Sequence, residues 1–467
     1  MRALTLKSFI AKPIVSLMGG IESGATAVPR PSFSDIRASK RRSKDYKKTI
    51  FRGFDKIRGI FVGQMAAKRL TSRTGLGYNL IVDCGRLRAS VTILTGGDVM
   101  KLICNGSDLS DAVGKVFKAV STRTTNPILE GIKLKAENGT LRLTATDLEL
   151  AIEKIIVADV KIEGETVVPG RFFAEFVKKL TQEQIELTLG ETGRLKIKYT
   201  DSEGELQCLP ADDYPEIKEL ADAQKFVIVK SEFRDLVNKV AFSVATDDAR
   251  PMLKGVLLEI DEVTLTGVAL DGYRLAKCVK PIEKTTAMMH ALVPARCLTE
   301  ISRLVEDSSD PVEICIQKNY MSVDLGHTKV TTRLLDIDFI NYKQIIPAYF
   351  ETMATLPKEQ FEAALERAIL LSRSDKSNLV RFDLKENVMQ LSSNSDIGNI
   401  TEKIFIKLDG KDLSIAFNAR YFTEILRYID SDSIMIKFTD AVSPCIIVPT
   451  GALEDFMYLI LPVRMQN

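Results

Sequence analysis

The sequence predicts an α+β fold of three similar domains, each with two helices packed on antiparallel sheet. Three observations carry this: a repeat of about 124 residues, two amphipathic helical stripes in each copy, and short alternating runs around them. Pro127-Ile128-Leu129-Glu130-Gly131 recurs as Pro251-Met252-Leu253-Lys254-Gly255. Asp147, in Thr146-Asp147-Leu148-Glu149-Leu150-Ala151, is matched by Asp271 in Leu270-Asp271-Gly272-Tyr273-Arg274-Leu275-Ala276, and Asp396 after Asn394-Ser395 holds the same place in the third copy. Pro169-Gly170-Arg171-Phe172-Phe173, Pro294-Ala295-Arg296-Cys297-Leu298 and Asn418-Ala419-Arg420-Tyr421-Phe422 form a third anchor at the same spacing. Three anchors agreeing within a residue exclude coincidence.

Each copy opens with a helix that starts near Leu109, Phe233 or Phe361, where apolar residues stand three and four apart, as in Leu109, Ala112, Val113, Val116 and Phe117. A second helix follows the arginine anchor. Its apolar stripe is Phe172, Phe173, Phe176, Val177 and Leu180 in the first copy, Cys297, Leu298, Ile301, Leu304 and Val305 in the second, and Tyr421, Phe422, Ile425, Leu426 and Ile429 in the third. The alternating runs 140–146, 186–189 and 194–199, bounded by Gly, Asn and Asp, predict antiparallel strands and hairpins. Two helices on sheet make each copy an α+β unit.

The 467 residues leave room for about three domains, and 45% hydrophobic with 27% charged residues excludes a disordered or collagen-like polymer. The net charge of +2 hides a division: residues 1–99 hold 19 Lys+Arg against 6 Asp+Glu, and the remaining 368 hold 45 against 56. The first segment carries the run Lys40-Arg41-Arg42-Ser43-Lys44-Asp45-Tyr46-Lys47-Lys48 and no sustained apolar period, so it reads as a basic, unstructured extension. A nucleic-acid-binding arm and a transit peptide are two readings of it. A translated leader is preferred, because the codons for Gly96-Gly97-Asp98-Val99 accommodate a GGAGG ribosome-binding sequence shortly before that of Met100. No stretch has the 18 or so apolar residues of a membrane-spanning helix. Seven scattered cysteines, Cys84, Cys104, Cys208, Cys278, Cys297, Cys315 and Cys445, with no CxxC and two histidines, His290 and His327, read as buried reduced thiols of a cytoplasmic protein rather than a zinc site or disulfide framework.

The positive charge of the acidic body recurs in register. Lys115, Lys239 and Arg367 each stand six residues after the first apolar residue of the first helix. In the second helix Arg171 pairs with Lys178, Arg296 with Arg303 and Arg420 with Arg427, seven apart and so separated by about 20° around the axis. Glu175, Glu300 and Glu424, four residues after each arginine, offer local ion pairs worth a few tenths of a kcal/mol, which is the plain alternative for any one helix. Recurrence in all three copies favours a shared cationic surface that meets phosphate, giving affinity without sequence information.

These residues resemble the bacterial sliding clamp family, the β subunit of the replicative DNA polymerase III holoenzyme, over 100–467. The most specific segments are Thr122-Arg123-Thr124-Thr125-Asn126-Pro127-Ile128-Leu129, Leu143-Thr144-Ala145-Thr146-Asp147-Leu148-Glu149, Leu209-Pro210-Ala211-Asp212-Asp213-Tyr214-Pro215, the segment from Leu270 to Ala276, and Leu461-Pro462-Val463-Arg464. The resemblance implies clamp domains at 100–222, 223–350 and 351–467, and a head-to-tail homodimer closing as a six-domain ring with helices lining its hole. The implied function is to encircle double-stranded DNA and tether the replicative DNA polymerase, with an ATP-dependent clamp loader and other clamp-binding repair and replication proteins as further partners. No cofactor, metal or membrane is implied.

For DNA, the resemblance adds Arg123 and Arg250, on loops, to Lys115, Lys178, Lys239, Arg303, Arg367 and Arg427. It places a partner-peptide pocket between the second and third copies at Leu253, Gly272, Tyr273, Arg274, Leu275, Ile345, Asn418, Tyr421, Val442, Leu461, Pro462, Val463 and Arg464, with Tyr273, Arg274 and Arg464 expected to be exposed. Without the resemblance, Leu253 and Val442 read as ordinary core. It places Leu206, Leu370 and Leu371 at the protomer boundary. Tyr273 stands where the family often has His, Pro444 where a small polar residue is frequent, and Gln466 and Asn467 run past the usual end.

A metal-dependent nuclease or phosphoryl transferase using Asp147, Asp271 and Asp396 is the rival enzyme reading. Two-metal sites hold ions about 4 Å apart, which three separate folded repeats cannot supply, so these aspartates are expected to end strands through side-chain turns. There is no GxxxxGK[ST] loop and no Ser-His-Asp signature. A repeat scaffold that binds partner peptides without encircling DNA is the non-catalytic alternative.

Overall fold

A computed structural model describes residues 70–74, 78–82, 98–180, 184–220, 223–286, 288–372, 378–451 and 455–464. The chain divides into two compact units, Met1–Leu94 and Thr95–Asn467. In the first, the described residues form an antiparallel hairpin, Leu70–Thr74 against Tyr78–Val82, within a segment expected to be unstructured. The basic run at 40–48, Cys84 and the leader, arm and transit readings lie outside the described residues, as do Gln466 and Asn467. In the second unit the first strand is Asp98–Asn105, so the expected boundary at Met100 falls inside it.

Six helices appear among the described residues, at the expected places: α1 Gly106–Val116, α2 Gly170–Val177, α3 Lys230–Ala241, α4 Ala295–Leu304, α5 Lys358–Ser372 and α6 Ala419–Leu426. Asn105 starts α1 by accepting hydrogen bonds from the backbone N–H groups of Ser107 (2.8 Å) and Asp108 (3.3 Å), two of the donors a helix N-terminus leaves unpaired. Asn418 caps α6 in the same way, accepting from Arg420 N at 3.1 Å. The stripes bury Leu109, Ala112, Val113 and Val116 in α1, Phe233, Leu236, Val237 and Val240 in α3, and Phe361, Ala364, Leu365 and Ala368 in α5. The α2 stripe differs from expectation: Phe173 and Val177 are buried, whereas Phe172 is exposed and stacks on Phe176 at 6.0 Å. An eight-residue helix covers the sheet with one narrow edge, and Phe172 lies beyond it.

The two helices of each repeat pack on each other and on sheet. The sheets do not stop at repeat boundaries. Leu150–Ile162 of the first repeat pairs antiparallel with Thr328–Arg333 of the second, with Leu150 opposite Thr332 and Ile152 opposite Val330. Arg274–Pro281 of the second pairs with Phe456–Ile460 of the third, with Arg274 opposite Ile460 and Ala276 opposite Tyr458. A twelve-stranded sheet therefore runs through the first seam and a nine-stranded sheet through the second, and the third repeat keeps a four-stranded sheet of its own. The strands equivalent to the seam partners, Ser202–Gln207 in the first repeat and Gly398–Phe405 in the third, end their sheets as open edges.

Small apolar clusters lie beneath the segments that leave the sheets. Tyr214 packs with Ile128, Leu129, Val167 and Ala211, and its hydroxyl donates toward the carbonyls of Gly131 and Thr144, each at 3.3 Å. Tyr342 holds the matching place in the second repeat, with Leu253, Leu257, Leu275 and Leu459, and donates to Glu259 at 2.6 Å. Burial of five described cysteines and partial burial of Cys315 leaves free thiols, and burial pushes Cys104 and Cys278 up to about 12, which keeps them protonated.

Candidate functional site

The recurrent basic residues divide into tied and open sets. Lys115 lies 2.8 Å from Asp111, one turn back on α1. Lys239 is 17% exposed, lies 2.7 Å from Asp235 and sits over the Phe456 ring, so it reaches phosphate less freely than its sequence position suggests. Burial alone would raise the Asp235 carboxyl, but hydrogen bonds from Lys239 and Lys280 hold it below the usual range. Arg367 forks onto Glu402, with both N–O distances 2.8 Å, and Arg303 bonds Glu300. Lys178 and Arg427 are exposed and stand at the C-terminal caps of α2 and α6, where a cation also complements the helix dipole. Arg123 is exposed on its loop, and Arg250 lies over Gly272, donating to the Asp271 carbonyl at 3.1 Å.

The expected i, i+4 pairs form in two repeats, Arg171 with Glu175 at 3.3 Å and Arg420 with Glu424 at 2.7 Å. In the second repeat Arg296 departs from that pattern and reaches back across the first seam to Asp147 and Glu149. A cleft of about 770 Å³ between α5 and α6 gathers Arg367, Arg420 and Arg427 with Glu366 and Glu424.

At the second seam the turn after Leu270 builds a different surface. The Asp271 carboxylate accepts from Tyr273 N (2.8 Å) and Arg274 N (3.0 Å), closing the turn in which Gly272 takes φ +95°. A Cβ at Gly272 would also stand 2.6 Å from the Arg250 guanidinium, which would have to move aside; the positive φ is what favours glycine here. Asp147 makes the same turn, accepting from Glu149 N and Leu150 N. In the third repeat, where Asp396 is expected to close the turn, the Ser395 hydroxyl accepts from Ile397 N at 3.4 Å. No group of three or more His, Cys, Asp and Glu among the described residues is placed to hold a metal.

Arg274, expected to be exposed, is 9% exposed. Its guanidinium bonds Asp271 at 3.1 Å, the Phe242 carbonyl at 3.1 Å and Glu424, and lies over the rings of Tyr421 (4.9 Å) and Phe242 (5.3 Å). Burial alone would raise the Glu424 carboxyl, but the bonds from Arg274 and Arg420 reverse this and hold it low. Tyr273 is 58% exposed and stacks on Tyr421 at 6.4 Å, forming one wall. Leu253 and Leu275 are buried beneath, and Ile345 is half-buried beside them. Leu461 N donates to the Tyr273 carbonyl at 2.9 Å and Val463 N to that of Ala416 at 2.8 Å, which fixes the terminal segment along the wall with Pro462 half-buried and Val463 and Arg464 exposed. Asn418 serves as the α6 cap. Val442, which reads as core by itself, is 66% exposed on a turn closed by Asp440. Phe242 and Glu424 are the anchors that the sequence did not reveal, since their partner lies far away along the chain.

At the protomer-boundary positions, Leu206 packs partly against the core and Leu370 is exposed. Leu371 follows it on α5.

Comparison with known proteins covers nearly all of the second unit. Residues 100–218 match the DNA polymerase III beta subunit, N-terminal domain, residues 227–341 its central domain and residues 343–464 its C-terminal domain. The β sliding clamp of Halalkalibacterium halodurans is 32% identical over 366 residues, 75% of this chain and 96% of that protein. That of Staphylococcus aureus is 29% identical over 358 residues, 74% of this chain and 95% of its own. The crystal structure of the DNA polymerase sliding clamp from Bacillus subtilis superposes with a TM-score of 0.76 at 30% identity, covering 79% of this chain and all of that one. The Thermotoga maritima DNA polymerase III beta subunit gives 0.74 at 29% identity, with 79% and 100% covered.

Proposed function

The chain belongs to the DNA polymerase III β subunit family, the β sliding clamps, and on that premise we propose that 100–222, 223–350 and 351–467 act as three clamp domains whose helices face duplex DNA. It is a non-catalytic processivity factor of DNA replication. The observation that carries the DNA-facing reading is the recurrence of basic residues at matched positions of all three helix pairs in an otherwise acidic body.

Two copies would meet head to tail at the open edges 202–207 and 398–405, with Leu206, Leu370 and Leu371 among the covered residues. Closure into a ring changes what the cations must do. A protein bound by charge alone leaves DNA at a rate set by its salt-sensitive affinity, whereas a ring stays until it opens. Contacts from Lys115, Arg123, Lys178, Lys239, Arg250, Arg303, Arg367 and Arg427 can then be weak enough to exchange during sliding. The exposed, unpinned Lys178, Arg427 and Arg123 are best placed for this, because tied residues must first give up a carboxylate.

The wall of Tyr273 and Tyr421, together with Leu253, Gly272, Arg274, Leu275, Ile345, Asn418, Val442, Leu461, Pro462, Val463 and Arg464, would receive short peptides of the replicative polymerase, the ATP-dependent clamp loader and other replication and repair proteins. Leu253 and Leu275, being buried, support that groove as its floor. No helix among the described residues is long and apolar enough to cross a membrane, and the cytoplasm is the proposed location.

The test is retention on nicked circular DNA after loading with a clamp loader and ATP. The expected result is retention that disappears when the circle is linearised, with Lys178→Glu and Arg303→Glu reducing loading. A scaffold that binds peptides without encircling DNA would show no dependence on topology.

A further inference from the structure

The two seams inside the chain fix, by repetition, how the two open edges would meet. In the first three-stranded set, Ile152 lies opposite Ala145 on its own sheet, and Ala276 and Ile400 lie opposite Ala269 and Ser393 in the second and third repeats. On the other side, Gly204, Val330 and Tyr458 lie opposite Ile197, Val323 and Ile447. Ile152, Ala276 and Ile400 are therefore equivalent, and so are Val330, Tyr458 and Gly204. At the seams these positions meet directly, as Ile152 with Val330 and Ala276 with Tyr458, and all four side chains are fully buried.

Size is shared within each pair. Two medium side chains meet at the first seam, and a small one meets a large one at the second. At the open edges the same positions hold Ile400 and Gly204, each only half-buried in the single chain. Gly204 is not required by its own chain: it is absent from the positive-φ glycines, and a Cβ there would meet Phe176 at 3.6 Å, an ordinary contact. The space that it leaves is bordered by Phe176, on which the exposed Phe172 stacks. On the facing edge, Leu370 is 62% exposed on α5, which packs against the Gly398–Phe405 strand.

We propose that self-association is keyed by size, with Ile400 of one copy seated in the notch left by Gly204 of the other, so that the edges pair with Leu206 opposite Gly398, Gly204 opposite Ile400 and Ser202 opposite Glu402. The partner for this surface is a second copy of the chain, since each copy carries both the knob and the notch and the internal seams supply the register. The inference rests on the two-copy ring proposed above and adds the residue pair that sets its register and selectivity. A side chain at residue 204 would compete with Ile400 for one space, and overpacking of a filled apolar contact is as damaging as a void.

The experiment measures the dimer dissociation constant by sedimentation velocity for the wild type, Gly204→Val, Ile400→Ala and the double variant. Gly204→Val is expected to fold with the wild-type melting profile and to weaken the dimer by at least about thirtyfold, as is Ile400→Ala through the lost burial. The double variant is expected to bind about tenfold or more tighter than Gly204→Val, because the new valine occupies the space that Ile400 vacates. A second readout needs no clash: Gly204→Cys with Ile400→Cys, oxidised with diamide, should give a covalent dimer, and Glu205→Cys with Ile400→Cys should not. A wild type that stays monomeric would overturn the ring itself. A wild-type dimer whose affinity is unmoved by Gly204→Val, or whose double variant is no tighter than Gly204→Val, would leave the ring standing and overturn the key.

Discussion

The two seams inside the chain use one strand geometry and two kinds of glue. At the first, the added ties are Arg296 with Asp147 and Glu149, an ion pair whose arginine is half exposed, and Lys218 over the Tyr320 ring at 5.6 Å. At the second, Arg274 is buried among Asp271, Glu424, Phe242 and Tyr421, Phe242 stacks on Tyr428 at 4.6 Å, and the Tyr458 hydroxyl donates to the Lys239 carbonyl at 2.9 Å. The difference has a functional logic. The second seam carries the candidate peptide groove, and a groove holds its shape only if the groups that line it are fixed by their neighbours. The first seam carries no such wall, so sheet continuity with a light surface tie is enough.

The sharpest way to break this comparison is Arg274→Ala. Removing Arg274 takes one of two arginines from Glu424, which keeps Arg420, and the side-chain partner from Asp271, which keeps its two backbone bonds, so the cost is about 2–3 kcal/mol, below that of a fully orphaned buried charge. Urea denaturation should show a loss of that size, and a fluorescent clamp-binding peptide should lose its affinity, because Tyr421 loses the cation beneath its ring. Adding Glu424→Gln should recover part of the stability. If Arg274→Ala cost under about 1 kcal/mol, the second seam would be no more tightly built than the first.

A smaller effect follows from acid. The Glu424 carboxyl is held below its ordinary value of 4.5, so the stability it contributes is fully present above that pH and is lost as pH falls through the lowered folded value. Hydrogen-exchange protection at Tyr458 and Leu459, the seam strand itself, taken relative to the intrinsic exchange rate at each pH, should therefore fall on acidification below about 4.5, and Glu424→Gln should flatten that dependence. An unchanged pH profile in the variant would remove Glu424 from the account.

The sequence carried the repeats, the helices and the turn aspartates of the first two copies well, because each depends on neighbours within a few residues. The anchors Asn105 and Asn418 cap helices by local chemistry, and the stripe of Leu109, Ala112, Val113 and Val116 buries as its spacing requires. What the sequence hid were choices between a near and a distant partner. Arg296 has Glu300 one turn away, yet bonds Asp147, and Arg274 turned inward because Phe242, Tyr421 and Glu424 surround it. Lys239 shares the repeat position of Lys115 and Arg367 but sits over the Phe456 ring, which only folding brings near. Phe172 shows the converse: a large apolar residue in a helical stripe is exposed because the short α2 buries only one narrow edge against the sheet.

The smallest expected effect tests the light tie. Arg296→Ala removes a pair whose arginine side chain is 53% exposed and whose Glu149 partner is 65% exposed; the Asp147 side chain is 12% exposed but keeps its bonds from Glu149 N and Leu150 N, so water and those bonds replace most of what is lost. Exposed pairs contribute about 0–1 kcal/mol, and salt screens them over about 10 Å at 0.1 M. The urea midpoint should shift only slightly at low salt, and less at high salt, while peptide affinity stays at the wild-type level because the proposed groove belongs to the other seam. Asp147 keeps its turn bonds to Glu149 N and Leu150 N in the variant, so the strand that follows stays in register and Ile152 stays opposite Val330. A loss as large as that of Arg274→Ala would mean that the first seam depends on its ion pair more than on its strands, and the contrast between the two seams would reverse.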